Sequence, residues 1–199
     1  MLTTAQLLQP LAERRTDEVV VTTMSTVRPW GYLSDSDLDF ASADSAMGHA
    51  ADLALGLALA RPERRVICIN GDGSMLMCLG TLATAVEAGA HNYVLVVCDN
   101  GEYEITGHQP VAAAGRIDYA AMAEAAGFRN VFQVDEPRQW AEIVGQVLEL
   151  PGPTFVHVLV EAGQEGPIGR SAREPARYLH HSLADWSRIL RAALTGPKA

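Results

Sequence analysis

Residues 65–100 read RVICINGDGSMLMCLGTLATAVEAGAHNYVLVVCDN, and the fold is decided within them. Two apolar, β-branched runs, at 65–70 and 93–98, bracket a stretch of helical spacing from about 75 to 88 that Gly89 closes. Strands that are apolar at every position, with no alternation, are buried on both faces; a parallel sheet covered by helices buries them so. A glycine after a helical run supplies the left-handed cap that ends it.

The same alternation continues outward. A helix is predicted over 4–14, with Leu7, Leu8 and Leu11 at helical spacing, and a short strand over 18–23. Residues 27–45, rich in Pro, Gly, Ser and Asp, read as a long loop around one short strand. Residues 47–60 read as a small-residue helix with almost no polar face, hence buried on most sides. Beyond 100 the pattern predicts a helix at 119–126 capped by Gly127, a strand at 131–134, a helix at 138–148 and a strand at 154–160. No internal repeat is present. The fold class is therefore α/β, a doubly wound, mostly parallel sheet with helices on both faces. A single domain over 1–199 is expected, in which 161–199 is a Gly/Pro/Arg-rich arm followed by a helix near 178–194.

Composition narrows the function. The 199 residues are 48% hydrophobic, enough for one well-buried core. Twenty-four acidic against 15 basic side chains give a formal charge of -9, which disfavours nucleic-acid partners. The three cysteines, Cys68, Cys78 and Cys98, form no CxxC pair and read as small apolar residues of a reducing compartment. No run is long enough for a membrane span, and the N-terminal stretch lacks the basic opening and apolar centre of a secretory signal. A cytoplasmic setting is the expectation.

The chemistry is expected at Gly71-Asp72-Gly73-Ser74, between a strand and a helix N-terminus, where doubly wound sheets bind ligands. Leu76 stands where a dinucleotide fingerprint needs its third glycine, and no Gly-Lys-Ser/Thr follows, so neither that fingerprint nor a Walker loop is present. A carboxylate aimed at a phosphate is repulsive unless a divalent cation lies between them. Asp72 thus predicts phosphate with metal, or no phosphate. Asn100 ends the next strand, and adjacent parallel strands would bring both oxygens to one hard cation such as Mg²⁺.

Gly-Asp-Gly followed some 25 residues later by Asn resembles the diphosphate-binding motif of thiamine diphosphate (ThDP) enzymes. Met47-Gly48-His49-Ala50, the GDGS turn and Asp99-Asn100-Gly101-x-Tyr103-x-x-Thr106-Gly107-x-Gln109-Pro110 together resemble the phosphonopyruvate and sulfopyruvate decarboxylases, from about 22 to 127 and more weakly to 160. The resemblance implies that Asp72, Asn100 and the main-chain carbonyl of Glu102 hold Mg²⁺. Gly71, Gly73 and Ser74 would hold the diphosphate, with Thr23, Ser25 and Thr26 beside it. Met47 would wedge the cofactor into a bent shape, the Ser45 carbonyl would accept from its aminopyrimidine, and Ile105 would pack along it.

The implied activity is ThDP- and Mg-dependent, non-oxidative decarboxylation of a 2-oxo acid, sulfopyruvate- or phosphonopyruvate-like. The chain would be the diphosphate-binding (PP) subunit, as β subunits of sulfopyruvate decarboxylase are. A partner α subunit would supply the pyrimidine-binding (PYR) domain with its essential Glu, and this chain would be inactive alone. A homodimer of this chain within an α/β hetero-oligomer is expected. The alternatives are the PP half of a carboligase such as an acetolactate synthase relative, or a non-catalytic ThDP-binding regulatory subunit.

Three residues are candidates for substrate chemistry. Thr106 stands where pyruvate decarboxylases carry a catalytic Glu, His108 replaces a usual small residue, and His49 opens the helix at 47–60 as either a functional or a satisfied core histidine. Tyr103 reads as packing, and His180-His181 as solvated. Arg170, Arg173 and Arg177 read as a solvated arm, and the acidic run 35–44 as a solvated loop.

Overall fold

The computed structural model describes residues 1–42 and 47–196. Six parallel strands form its sheet: Val19–Thr23 (β1), Asp39–Ser42 (β2), Val66–Gly71 (β3), Tyr93–Asp99 (β4), Asn130–Val134 (β7) and Thr154–Leu159 (β8), in the order β2-β1-β3-β4-β8-β7. Two short strands, Glu102–Tyr103 (β5) and Gln109–Pro110 (β6), pair as a separate antiparallel hairpin. The register runs Val21↔Cys68 between β1 and β3 and Cys68↔Leu95 between β3 and β4. All three of those residues are fully buried, as their continuous apolar character requires.

Helices cover both faces. Thr4–Arg14 (α1) touches Val27–Leu33 (α2) and Pro137–Glu149 (α7), and Trp140 Nε1 of α7 donates to the Leu7 carbonyl at 2.8 Å. Ala50–Ala60 (α3) rests on β3, and Gly80–Glu87 (α5) lies between it and Tyr119–Ala126 (α6). Asp72–Met77 (α4) follows β3 directly, and Leu183–Thr195 (α8) packs against the edge strand β2.

Several sequence expectations are corrected. The 27–45 loop contains α2, disguised by Pro29 and Gly31. Proline is tolerated in a first helical turn, and a Cβ on Gly31 would come within 2.1 Å of the Ala176 Cβ. The single helix expected over 75–88 is two, α4 and α5, broken at Cys78 and Leu79. The 47–60 helix starts at Ala50, and it is not buried on most sides: Leu53 and Leu59 are exposed. The acidic loop is not simply solvated either. Asp39 is buried and ion-paired with Arg15 at 2.9 Å, while Asp35 and Asp37 pair with Arg177.

The chain order reverses at β1, from which it proceeds first to β2 on one side and then to β3 on the other. Loops therefore diverge beyond Thr23 and Gly71, leaving a crevice at the carboxyl edge. From β8 the chain runs through 161–182, and Arg28, at the start of α2, grips it. Its guanidinium donates to Glu174 at 2.7 and 2.9 Å, to Glu165 at 3.3 Å and to the Gly166 and Pro167 carbonyls. Trp186 of α8 closes the β2 side, buried and donating to the Asp39 carbonyl at 2.6 Å.

Candidate active site

A cleft of about 460 Å³, counted with the solvent it opens to, occupies that crevice. Thr23, Met24 and Ser25 line it from the end of β1, Gly71 to Ser74 from β3 and α4, Cys98 from β4, and Asn100 and residues 102–106 from the segment after it; Met47 completes it. Two methionines thus face the cleft. Met24 was missed in the sequence: it adopts φ 48, a left-handed conformation uncommon for a side chain of this size, at a turn that pattern reading cannot see.

Asp72 is the centre of the site. It is buried at the first turn of α4, and its Oδ2 accepts from the Gly101 N–H at 3.0 Å. Tyr119 donates to the Asp72 carbonyl at 3.3 Å, fixing the backbone from below. Burial chiefly, with the nearby Asp99 carboxylate, pushes the Asp72 pKa up to about 7. Asp99 moves the other way. Burial alone would raise it, but the hydrogen bond from His157 at 3.0 Å and the bond with Asp72 hold it below the usual range. A buried carboxylate that strains to ionise is the donor a divalent cation would satisfy.

Asn100 presents the second oxygen. Its Nδ2 donates to Glu104 at 2.9 Å, which turns Oδ1 toward the loop, where the Glu102 N–H donates to it at 3.0 Å. Glu102 lines the cleft, with its own carboxylate engaged by His108 Nδ1 at 2.7 Å. All these groups are oxygen donors, which suits a hard cation. Glu104, given no site role in the sequence, is itself buried and accepts from Asn100, from the Gly163 N–H at 3.2 Å and from the Glu165 N–H at 2.8 Å. Its role depends on an arm some 60 residues away, so no local pattern marks it.

The remaining predicted residues divide. Thr23 lines the cleft and its hydroxyl donates to the Ser42 carbonyl at 3.1 Å; Ser25 and Ile105 line it too. Ser74 lines it with its Oγ accepting from the Gly48 N–H at 3.0 Å. Gly73 is obligatory in this packing, since an added Cβ would sit 2.4 Å from the Tyr103 ring. Thr26 is buried behind the cleft, its hydroxyl donating to the Thr23 carbonyl at 2.8 Å. Thr106 lines the cleft, exposed and bonded to Gln109 at 3.1 Å. His108 and His49 are not among the lining residues: His108 is held on Glu102 at the rim, and His49 is exposed and paired with Asp52 at 2.9 Å. Ser45 lies outside the described residues.

Residues 24–158 match the family described as thiamine pyrophosphate enzyme, C-terminal TPP binding domain, a span that holds every cleft-lining residue except Thr23. The chain belongs to this family. Among similar proteins, the phosphonopyruvate decarboxylase of Streptomyces viridochromogenes is 36% identical over 196 residues, covering 98% of this TPP-binding chain and 47% of that protein. The sulfopyruvate decarboxylase subunit beta of Methanothermobacter thermautotrophicus is 42% identical over 118 residues, covering 59% of this chain and 60% of the subunit. The chain spans about half the length of these relatives. The TPP-binding fold also matches the thiamine diphosphate-dependent 4-hydroxybenzoylformate decarboxylase of Rhodococcus jostii RHA1, with TM-score 0.68 and 23% identity over 82% of this chain and 33% of that one. That likeness speaks for the fold.

Proposed function

We propose that this chain is the diphosphate-binding half of a ThDP-dependent 2-oxo acid decarboxylase acting on a sulfopyruvate- or phosphonopyruvate-like substrate. The observation that carries the reading is Asp72, a buried carboxylate that lines the switch-point cleft together with Asn100 from the end of the neighbouring strand. Asp72, Asn100 and the Glu102 carbonyl would hold Mg²⁺. The main-chain amides of Gly71, Gly73 and Ser74, at the junction of β3 and a helix start, would hold the diphosphate beside Thr23 and Ser25. When bound, the thiazolium of ThDP supplies the electron sink for loss of CO₂.

The chain's own residues bind and orient. Gly101 and Tyr119 fix Asp72, and Glu104 fixes the Asn100 amide, so the donor set is arranged before any ligand arrives. Met47, Met24 and Ile105 give the cleft an apolar wall that excludes water from the cofactor's body. Thr106, which lines the cleft, would meet the substrate, and His108 stands at the rim, hydrogen-bonded to Glu102.

The partner is a PYR-domain α subunit, in line with the beta-subunit name of a relative, together with a second copy of this chain. An apolar groove between α3 and α8, with Leu53, Leu57, Leu190 and Leu194 in its walls, supports an assembled state. No described helix is long and apolar enough to cross a membrane, and the three free cysteines support a cytoplasmic setting. Calorimetric titration of ThDP with Mg²⁺ into this chain alone and mixed with the candidate PYR subunit tests the reading. Binding that appears or tightens with the partner and vanishes with chelator is expected. Asp72→Ala should abolish it, and unchanged retention in that variant would refute the metal assignment.

A further inference from the structure

Outside the cleft, His49 at the start of α3, Asp52 one turn on, and Cys78 at the break between α4 and α5 bring ligand atoms within 4.8 Å of one another. Theirs is the one such group of three among the described residues. His49 Nδ1 lies 2.9 Å from Asp52 Oδ2 and 3.7 Å from Cys78 Sγ. A tetrahedral centre with metal–sulfur bonds of about 2.3 Å and metal–nitrogen or –oxygen bonds of about 2.0 Å separates S from N by roughly 3.5 Å and N from O by roughly 3.3 Å. The two edges at Nδ1 fall within about 0.4 Å of these, and the third, from the Cys78 sulfur to the Asp52 carboxylate, is no longer than 4.8 Å.

The arrangement does not suit a nucleophile–base relay. Such a relay divides its partners between the two ring nitrogens, whereas here carboxylate and sulfur both lie nearest Nδ1, the sulfur being 4.0 Å from Nε2. Partial burial and the Asp52 charge also push the Cys78 thiol up, away from a free thiolate. Two built features frame the three donors. Thr81 donates its hydroxyl to the other Asp52 oxygen, orienting the carboxylate as an outer partner of a metal ligand does. Gly48 makes room for the sulfur, since an added Cβ would stand 3.0 Å from it.

We infer that His49, Asp52 and Cys78 form a site for a zinc-class divalent cation, with water in the fourth position. Imidazole and thiolate select such an ion over Mg²⁺, so the site is chemically distinct from the oxygen-lined cleft. On binding, the Cys78 sulfur–hydrogen bond gives way to a sulfur–metal bond with its proton lost to solvent, and the Nδ1–H that reaches Asp52 gives way to a nitrogen–metal bond, the imidazole carrying its proton on Nε2 instead. The ion would clip the start of α3 to the α4–α5 break, one residue from the Gly48 N–H that holds Ser74.

The test is titration of the chelator-treated full chain with Zn²⁺ in excess Mg²⁺, and with Co²⁺ followed by absorption. One ion per chain, a thiolate-to-cobalt charge-transfer band and d–d bands of tetrahedral intensity are expected, with thermal stabilisation by Zn²⁺. Cys78→Ser should remove the charge-transfer band and weaken Zn²⁺ binding at least ~10-fold, and Thr81→Ala should weaken it about 10-fold. Wild-type Zn²⁺ affinity in Cys78→Ser, or cobalt binding without the band, overturns the assignment. Circular dichroism checks each variant's fold. If Cys78→Ser fails to fold, Asp52→Asn carries the same test, with ~10-fold weakening expected and none refuting.

Discussion

Replacing Glu104 by Gln keeps the shape of the side chain and removes its charge, which isolates what the carboxylate does. One oxygen accepts from Glu165 and the other from both Asn100 and Gly163. A Gln must turn an NH₂ toward one of these sets. Its better orientation keeps the Asn100 and Gly163 bonds and loses the one to Glu165, leaving a partly buried donor unpaired at about 1–3 kcal/mol. The two surviving bonds lose their charge assistance, roughly halving each. Discounted for partial exposure of the arm amides, the sum is about 2 kcal/mol. For a chain of this size that lowers Tm by about 4–8 °C. Differential scanning fluorimetry reads the shift, and hydrogen exchange at the Gly163 and Glu165 amides reads its cause. A Tm within about 1 °C of wild type, with those amides equally protected, would refute the claim that Glu104 fastens the arm to the loop.

Other perturbations probe the cleft and its supports. Met47→Ala should lower turnover of the assembled enzyme more than ThDP affinity, as steady-state kinetics and calorimetry together would show; wild-type turnover would end its role as wedge. Trp186→Ala empties a fully buried site against β2 and should cost about 3–5 kcal/mol in guanidinium unfolding. The Arg28 hydrogen bonds hold the Glu174 pKa below its ordinary 4.5. That contribution is therefore present above pH 4.5 and lost as pH falls through the depressed folded value. Arg28→Met should flatten the acid limb of the stability–pH curve, and an unchanged limb in acid titration would count against the clamp.

Strands and most helices were legible because each carries its own periodicity. The buried runs at β3 and β4 admit no other reading, and Gly127 marks a helix end by local chemistry, whereas the last helix, expected from 178, starts only after Ser182. Where reading failed, the cause was a contact between distant segments. Val27–Leu33 lost its helical signature to Gly31, which is there for the crossing of Ala176. The break at Cys78 accommodates the Gly48 backbone, invisible from either segment alone. In the site, Asp72 and Asn100 stood out because a carboxylate beside a phosphate-binding turn demands explanation. Asp99, His157 and Tyr119 did not, because their roles exist only once β4, β8 and α6 lie side by side.

The clasp between Glu104 and the arm also orders events during synthesis. At roughly 5–20 residues per second, the loop after β4 leaves the ribosome several seconds before Gly163 and Glu165 do. Throughout that interval Glu104 has neither arm amide to accept from, so the carboxylate that Asn100 donates to is not yet held in place. The loop that carries Asn100 is thus completed only by a segment made some 60 residues later, and a nascent chain stalled at β8 would display the motif without the clasp.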